Sequence, residues 1–249
     1  MARREPRMRV CTLMMAAWLL FGAADAAGAE PRVVPLHAAP PTSNELGFDV
    51  SYESQTFPSL DAALQDCREG RVARADCDAR PIVAQAGTEI ISLAARWAED
   101  GRPMLGTELL ARDAATRRVR TLFRVTIEQS LGATSHIEVF ASPAGPLLRV
   151  PVLLSGTGAF NRHFHFLWRD GAWQEIDAEG WLRAVTLPPG HGIWKGVIME
   201  PRDFTARSAI WREGDGNCCP SGGEVEVRLT LRGRTLEIAS QTYRPPRAE

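Results

Sequence analysis

The sequence has almost no lysine and almost no net charge. Of its 29 basic side chains only Lys195 is a lysine, and 30 acidic residues bring the formal net charge to −1. Without residues 1–29 the balance is 25 basic against 28 acidic side chains. A chain this close to neutral lacks the strong field that attracts nucleic acid or anionic lipid. We therefore expect no nucleic-acid partner.

The common catalytic and cofactor-binding motifs are also absent. The chain has no Gly-x-Ser-x-Gly elbow, His-Glu-x-x-His helix, P-loop or dinucleotide glycine fingerprint. Each of these motifs brings together the backbone or side-chain groups that its chemistry requires. We therefore predict no catalytic residue and no cofactor, and the sequence favours a binding or structural protein over an enzyme.

An apolar run long enough to cross a bilayer is missing as well. The run at residues 10–24 is about fifteen residues long, against the roughly twenty that a spanning helix needs. Four arginines precede this run and small residues follow it, at Ala27-Gly28-Ala29. This layout is typical of a secretory signal peptide. We predict cleavage after Ala29 and a periplasmic or secreted mature protein without a transmembrane segment.

The first half of the mature chain reads as a leader followed by helices. Residues 30–45 hold four prolines and predict a disordered leader. Alternating apolar residues at 46–52 predict a strand, and residues 59–67 begin with a serine before good helix formers. The strongest helix prediction covers residues 81–101, which begin with a proline and end with a glycine. One face of that helix would carry Ile82, Ala86, Ile90, Leu93, Ala94 and Trp97. Residues 46–115 are thus predicted to be a helical segment.

From residue 116 to residue 245 the pattern changes to short alternating stretches separated by Gly, Pro and Asp. This spacing is typical of antiparallel strands. Asp170-Gly171 marks the clearest hairpin, a second hairpin lies between Leu231 and Leu236, and residues 178–185 predict a short helix. We expect an α+β fold, in which an N-terminal helical layer with one long helix packs on a mostly antiparallel sheet. The two regions can form one domain.

Four cysteines are left once the signal peptide and its Cys11 are removed. An even number of cysteines in an exported chain predicts disulfides, and four allow three pairings. Cys67 and Cys77 close a short loop and favour each other. Cys218 and Cys219 would then bond as neighbours, although adjacent Cα atoms lie about 3.8 Å apart, below the usual disulfide range of about 4.4 to 6.8 Å. Cross-links between the two pairs are the alternative.

The same glycine-rich stretch can be aligned with a calcium-binding loop. The ligand positions would be Glu213, Asp215, Asn217, the Cys219 carbonyl, Ser221 and Glu224. Cys218 stands at the position where such a loop needs glycine, and strands rather than helices are predicted on both sides. We favour a polar β-turn in which Gly and Asn tolerate positive φ.

A second candidate metal site lies in the stretch "NRHFHFLW". His163 and His165 fall on one face of a strand, opposite the phenylalanines. Glu175 and Asp177 would join them if the following hairpin loop held three residues, and a two-residue loop would keep the carboxylates away. That set of four would suit a metal-assisted hydrolase. The favoured alternative has the phenylalanines facing the core and the histidines facing solvent.

Residues 168–243, and above all the run "GDGNCCPSGG", resemble a group of exported bacterial proteins. The run is similar to part of the LppP/LprE lipoprotein family of actinobacteria, in which an adjacent cysteine pair and Pro-Ser-Gly precede a final hairpin. This resemblance implies a shared fold and carries no assigned activity. Separately, "DCREGRVARADC" resembles the cysteine-bracketed segment of LprI-like lysozyme inhibitors, which implies inhibition of a lytic enzyme.

The leading hypothesis from the sequence is therefore a non-catalytic exported protein. It would act as a structural or binding module of the cell envelope, with an unknown envelope or extracellular partner.

Overall fold

A computed structural model describes residues 32–36, 48–70, 76–155, 162–194, 197 and 199–246 of the chain. The predicted signal peptide lies outside these residues. Helix is scarce in the described chain: α1 spans Leu60–Gln65 and continues as a π-helical turn over Asp66–Gly70, and a 3-10 helix spans Gly180–Ala184. The remaining regular structure is β-strand, arranged in three larger sheets and two small ribbons.

The sheets are almost wholly antiparallel, as the sequence predicted. The outer sheet has the order β2-β7-β6-β5-β4, with β2 (Phe48–Ser51), β4 (Asp76–Gln85), β5 (Thr88–Glu99), β6 (Arg102–Asp113) and β7 (Val119–Glu128); β3 (Thr56–Phe57) also pairs with β7. The central sheet has the order β1-β13-β12-β10-β9, with β1 (Val33–Val34), β9 (Glu138–Ser142), β10 (Gly145–Val150), β12 (Phe164–Arg169) and β13 (Ala172–Ile176).

The C-terminal sheet has the order β15-β16-β18-β19, with β15 (Met199–Glu200), β16 (Thr205–Ala209), β18 (Glu224–Arg232) and β19 (Thr235–Arg244). The ribbons pair β8 (Gly132–Thr134) with β11 (Val152–Leu154), and β14 (His191–Gly192) with β17 (Trp211–Arg212). The parallel pairing of β1 with β13 is the exception to the antiparallel pattern among these strands.

The predicted long helix at residues 81–101 is wrong, because this segment forms two hairpins. β4 turns into β5 at Ala86-Gly87, and β5 turns into β6 at Asp100-Gly101. All four turn residues have positive φ, between 48° and 78°. Two residues of this conformation match the right-handed twist of paired strands, so they close two-residue hairpins. The fold is therefore mostly β, and no long helical layer covers a sheet in the described chain.

Burial on both faces explains why the sequence of β5 was mistaken for that of a helix. Ile90 of β5 packs toward the central sheet, whereas Ile91 and Leu93 pack on the opposite face of the outer sheet. A strand covered on both faces loses the polar and apolar alternation that identifies a half-exposed strand. Pro81 lies at a register shift between β4 and β5, where a missing N–H does not interrupt a regular ladder.

The layers pack in the order α1, outer sheet, central sheet and C-terminal sheet. The core between the outer and central sheets includes Phe48, Ile90, Leu109, Phe123, Val125, Ile127, Leu148, Val150, Phe166 and Trp173. The core between the central and C-terminal sheets includes Leu147, Leu167, Ile176, Trp181, Met199, Ala206, Ile210, Val225, Val227 and Leu236. The central sheet is thus buried on both faces, and the C-terminal sheet presents its other face and its loops outward.

The small helical layer begins where the sequence predicted a helix. The Ser59 hydroxyl accepts a hydrogen bond from the Ala62 N–H, 3.2 Å away, and so caps α1. Phe57, Ala63, Cys67 and Cys77 then pack on the outer face of the outer sheet. This short segment covers the face for which the sequence had predicted a long helix.

Residues on both sides of the predicted boundary at 115/116 share one sheet. β7 lies between β2 and β6, so the outer sheet combines strands from both regions. Part of the predicted disordered leader is also built into the fold. β1 pairs with β13, and the Leu36 N–H donates a hydrogen bond to Glu175 Oε2 at 2.7 Å.

Candidate functional site

The two histidines of the His-x-His stretch lie at the start of β12, with His163 immediately before the strand and His165 within it. Phe164 and Phe166 pack toward the outer sheet, as expected, while His163 and His165 share the opposite face with ring centroids 6.2 Å apart. The expectation that the histidines face solvent is wrong for His165, whose side chain is buried. Neither ring nitrogen of His165 has a hydrogen-bond partner in the structure described.

The hairpin after β12 keeps the candidate carboxylates away from the histidines. Arg169 pairs with Ala172, so the loop holds two residues, and Glu175 lies opposite Phe166 rather than His165. Glu175 instead accepts the Tyr52 hydroxyl hydrogen bond at 2.8 Å. Asp177 Oδ1 accepts the N–H groups of the two residues at the start of the 3-10 helix. The four-residue metal set is therefore not assembled, and no cluster of three His, Cys, Asp or Glu suited to a metal occurs among the described residues.

Burial keeps both histidines neutral at neutral pH. Desolvation, followed by the Coulombic effects of His163 and Arg149, lowers the pKa of His165 to about 3. Desolvation likewise lowers the pKa of His163 to about 4, with Arg149 acting in the same direction and Glu138 opposing it. A charged imidazole in this place would lose hydration without gaining a partner.

A Ser–His–Asp arrangement that the sequence did not reveal joins the outer and central sheets. His136 Nδ1 lies 3.1 Å from Ser92 Oγ, and His136 Nε2 lies 3.1 Å from Asp78 Oδ2. Ser92 is fully buried, however, and its hydroxyl also accepts the Ile137 N–H at 2.9 Å. A nucleophile must reach its substrate, so this geometry supports a structural link between two sheets rather than catalysis.

Replacing His136 with alanine should lower the free energy of unfolding by about 1 to 3 kcal/mol, because the buried Ser92 hydroxyl loses a partner. Chemical unfolding of the wild type, His136→Ala, Ser92→Ala and the double variant gives a double-mutant cycle. We expect the two effects to be coupled by more than about 0.5 kcal/mol. If the destabilisation in the double variant equals the sum of the two single effects, the hydrogen bond between His136 and Ser92 contributes nothing to stability.

The structure joins Cys67 to Cys77 and Cys218 to Cys219. Their Cα atoms are 6.4 and 3.8 Å apart, respectively. Of the three pairings open from the sequence, this is the one with two local bonds. Cys67 and Cys77 are buried beneath α1, whereas Cys218 and Cys219 are exposed in the turn between β17 and β18.

The two disulfides should respond differently to a dithiol reductant. A thiolate must reach a sulfur atom to reduce it, so the exposed Cys218–Cys219 bond should react on the order of ten times faster than the buried bond. Timed quenching with an alkylating agent, followed by peptide mass spectrometry, measures both rates in one sample. Equal rates, or earlier labelling of Cys67 and Cys77, would contradict the described burial.

Asp215 organises the turn that carries the exposed disulfide. Its carboxylate accepts the backbone N–H groups of Arg212 and Ser221, each at 2.8 Å, and the Ser221 hydroxyl at 2.6 Å. These hydrogen bonds, led by the one from the Arg212 N–H, lower the pKa of Asp215 to about 2. The carboxylate therefore serves the turn itself, as in the polar β-turn interpretation.

Of the other proposed calcium ligands, Ser221 is the one that bonds to Asp215, as a hydrogen-bond donor. Glu224 lies in β18, where it pairs with Arg244 at 3.3 Å. Glu213, near the start of the turn, and Asn217, in its middle, are exposed side chains. The described residues of this turn therefore form a self-bonded loop.

Two tryptophans stack beside the same turn. The indole rings of Trp194 and Trp211 are nearly parallel, with an interplanar angle of 22° and centroids 6.1 Å apart. Trp211 is buried and donates its indole N–H to the Gly216 carbonyl at 3.3 Å, which ties it to the turn. Trp194 is 39% exposed, and its ring presents an accessible surface.

The Trp194 ring packs closely against the backbone of Gly192. Gly192 pairs with Trp211, and a Cβ atom added at Gly192 would lie 2.9 Å from the Trp194 indole nitrogen. The indole ring thus occupies space that only glycine leaves free. Nearby, the Tyr243 hydroxyl donates to the Gly222 carbonyl at 2.7 Å and holds the end of the turn against β19.

We call Trp194, Trp211 and the turn 212–221 the tryptophan surface. Sequence reasoning selected the turn but missed the two tryptophans, because their stacking depends on the pairing of β14 with β17. Each strand has only two residues, which gives no periodic signal. The sequence signal that was available is a Trp next to each of two Gly- or Pro-rich runs: Trp194 follows residues 188–192, and Trp211 precedes residues 214–223.

Comparison with protein-family models, curated proteins and solved structures found no match for this chain. Within the described residues, no helix combines the length and apolar character needed to cross a bilayer. Functional interpretation therefore depends on the geometry of the chain itself.

Proposed function

We propose that this protein is an exported, non-catalytic binding module of the cell envelope or extracellular space, and that the tryptophan surface contacts its ligand. The observation that carries this proposal is the exposed ring of Trp194, which stacks on Trp211 and lies against Gly192. A large apolar side chain exposed in a fixed orientation loses little conformational entropy on binding.

The candidate catalytic arrangements among the described residues are incomplete or buried, which favours a binding role over catalysis. Among the described residues, His163 and His165 lack their carboxylate partners, and the Ser92 hydroxyl is buried beneath His136. The turn, by contrast, combines exposed polar side chains with an aromatic face, which is a composition suited to recognition.

Export is supported by the N-terminal pattern of arginines, apolar residues and small residues. Two cysteine pairs at bonding distance fit an oxidising compartment, because cytosolic reductants keep most thiols reduced. A periplasmic or secreted protein would meet its ligand on the cell envelope or outside the cell.

The test is retention of envelope components on the immobilised mature protein. We expect the wild type to retain a component that Trp194→Ala fails to retain. Leu153→Ala is the matched control, because Leu153 is 42% exposed but lies on the β8–β11 ribbon. Equal retention by the wild type and Trp194→Ala, or no retention by either, would contradict the proposal.

A further inference from the structure

We propose that the ligand of the tryptophan surface is a saccharide, whose ring stacks on the exposed face of Trp194. This inference rests on the proposed binding function and specifies its ligand class. Pyranose rings present one face of C–H groups and an edge of hydroxyl groups. The C–H face can stack on the electron-rich face of an aromatic ring. The hydroxyl edge can form hydrogen bonds with polar side chains around that aromatic ring.

The small apolar area favours a small, flat ligand over a folded protein partner. Four large hydrophobic residues are exposed among the described residues, and Trp194 is the one that belongs to the tryptophan surface. Leu131 and Leu153 lie at the β8–β11 ribbon, and Val139 lies in β9 of the central sheet. A stable protein interface buries about 1,200 to 2,000 Å² around an apolar centre, which one half-exposed indole does not supply.

The charge of the surface favours a ligand without strong charge. Arg212, Glu213 and Asp215 are the ionisable residues of the turn, so its cationic and anionic groups nearly balance. The Asp215 carboxylate is occupied by the turn's own N–H and hydroxyl groups, and Arg212 Nε donates to Ser221 Oγ at 2.9 Å. A polyanion or polycation would find no matching field here, whereas sugar hydroxyl groups need only individual donors and acceptors.

The site is also preorganised for stacking. Trp211 supports one face of the Trp194 ring, and its own indole N–H is bonded to the Gly216 carbonyl. Trp194 still keeps 39% of its surface exposed, and that part is available to a ligand. Asn217 and Glu213 extend exposed polar side chains from the turn that Trp211 anchors, and such groups can orient sugar hydroxyls.

The test uses two uncharged probes, the tetramer of N-acetylglucosamine and the tetramer of glucose. Each is titrated to about 10 mM into the mature protein while heat and tryptophan fluorescence are recorded. We expect at least one probe to bind and to change the fluorescence. Trp194→Ala should weaken that binding about tenfold or more, Trp194→Phe should weaken it less, and Leu153→Ala should leave it unchanged.

Gly192→Ala provides a second variant that keeps every aromatic ring. Its added methyl group would displace the Trp194 ring, so the probe affinity should fall although the tryptophan is present. The melting temperature of each variant shows whether it is folded. Binding of neither probe by the wild type, or undiminished binding by folded Trp194→Ala and Gly192→Ala, would overturn the saccharide assignment. Trp194-dependent retention of an envelope component that neither probe displaces would overturn it too, while leaving the proposed binding function in place.

Discussion

Acidification from about pH 6.5 to about pH 4 should lower the free energy of unfolding by up to roughly 2.7 kcal/mol per pH unit through His163 and His165. Burial lowers the pKa of His163 to about 4 and that of His165 to about 3, whereas the unfolded chain has a histidine pKa of about 6.5. Between these values the unfolded state binds more protons than the folded state. Stability is therefore fully present above pH 6.5 and is lost as the pH falls toward the folded-state pKa values.

Urea unfolding measured at half-unit pH steps tests this prediction. His165→Leu should remove about half of the slope, because one of the two titrating groups is gone. At pH 7 this variant should be about 1 kcal/mol more stable than the wild type, since it replaces two buried nitrogens that lack hydrogen bonds. A wild-type stability that does not change between pH 6.5 and pH 4.5 would show that these imidazoles are not buried as described.

The carboxylates with lowered pKa values change the free energy of unfolding in a lower pH range than the two histidines do. Hydrogen bonds lower the pKa of Asp78, Asp113 and Asp215 below their ordinary values. Their contribution is present above the unfolded-state value of about 3.9 and is lost only as the pH falls below it. Burial raises the pKa of Glu179, so its protonation in the folded state acts in the opposite direction. A net loss between pH 6.5 and pH 4.5 therefore comes from the histidines.

Replacing Phe123 with alanine should destabilise the protein by about 3 to 5 kcal/mol. The ring is fully buried between the outer and central sheets, and its centroid lies 5.3 Å from that of Tyr52 and 5.0 Å from those of Phe164 and Phe166. Truncation removes these contacts and leaves a cavity that a packed sheet cannot fill.

Chemical unfolding again supplies the measurement, with Val139→Ala as the matched control. Val139 is 38% exposed in β9, so its truncation should change the free energy of unfolding by no more than about 0.5 kcal/mol. A loss below about 1 kcal/mol for Phe123→Ala would contradict the packing of the two sheets against each other.

Local turn chemistry was the part of the fold that the sequence predicted well. Asp170-Gly171 lies between two strands with clear alternation, and both turn residues have positive φ in the structure. Ala86-Gly87 and Asp100-Gly101 form the same kind of turn but were hidden, because β5 between them is apolar on both faces. Deciding between helix and strand there required knowing that two layers cover the outer sheet, and that information is not local.

The sequence located the polar turn of the candidate site but not the contacts that depend on strand pairing. The polar turn around Cys218 and Cys219 could be located from its Gly, Asn and Asp residues. The tryptophan stack depends on the pairing of two-residue strands, and the link of Ser92 to His136 spans two sheets. The register of the β12–β13 hairpin decided against the carboxylates at 175 and 177, and the sequence had left that register open.

The central claim is that a saccharide binds at the tryptophan surface, and it can be tested without any mutation. The mature chain keeps six tryptophans, since Trp18 lies in the predicted signal peptide. Their indole N–H signals in a proton–nitrogen NMR spectrum can be followed while envelope polysaccharide is added. The account predicts that the Trp194 signal shifts most, followed by that of Trp211, while those of Trp97, Trp168, Trp173 and Trp181 stay in place. Shifts confined to the other four indoles, or no shift at all, would contradict it.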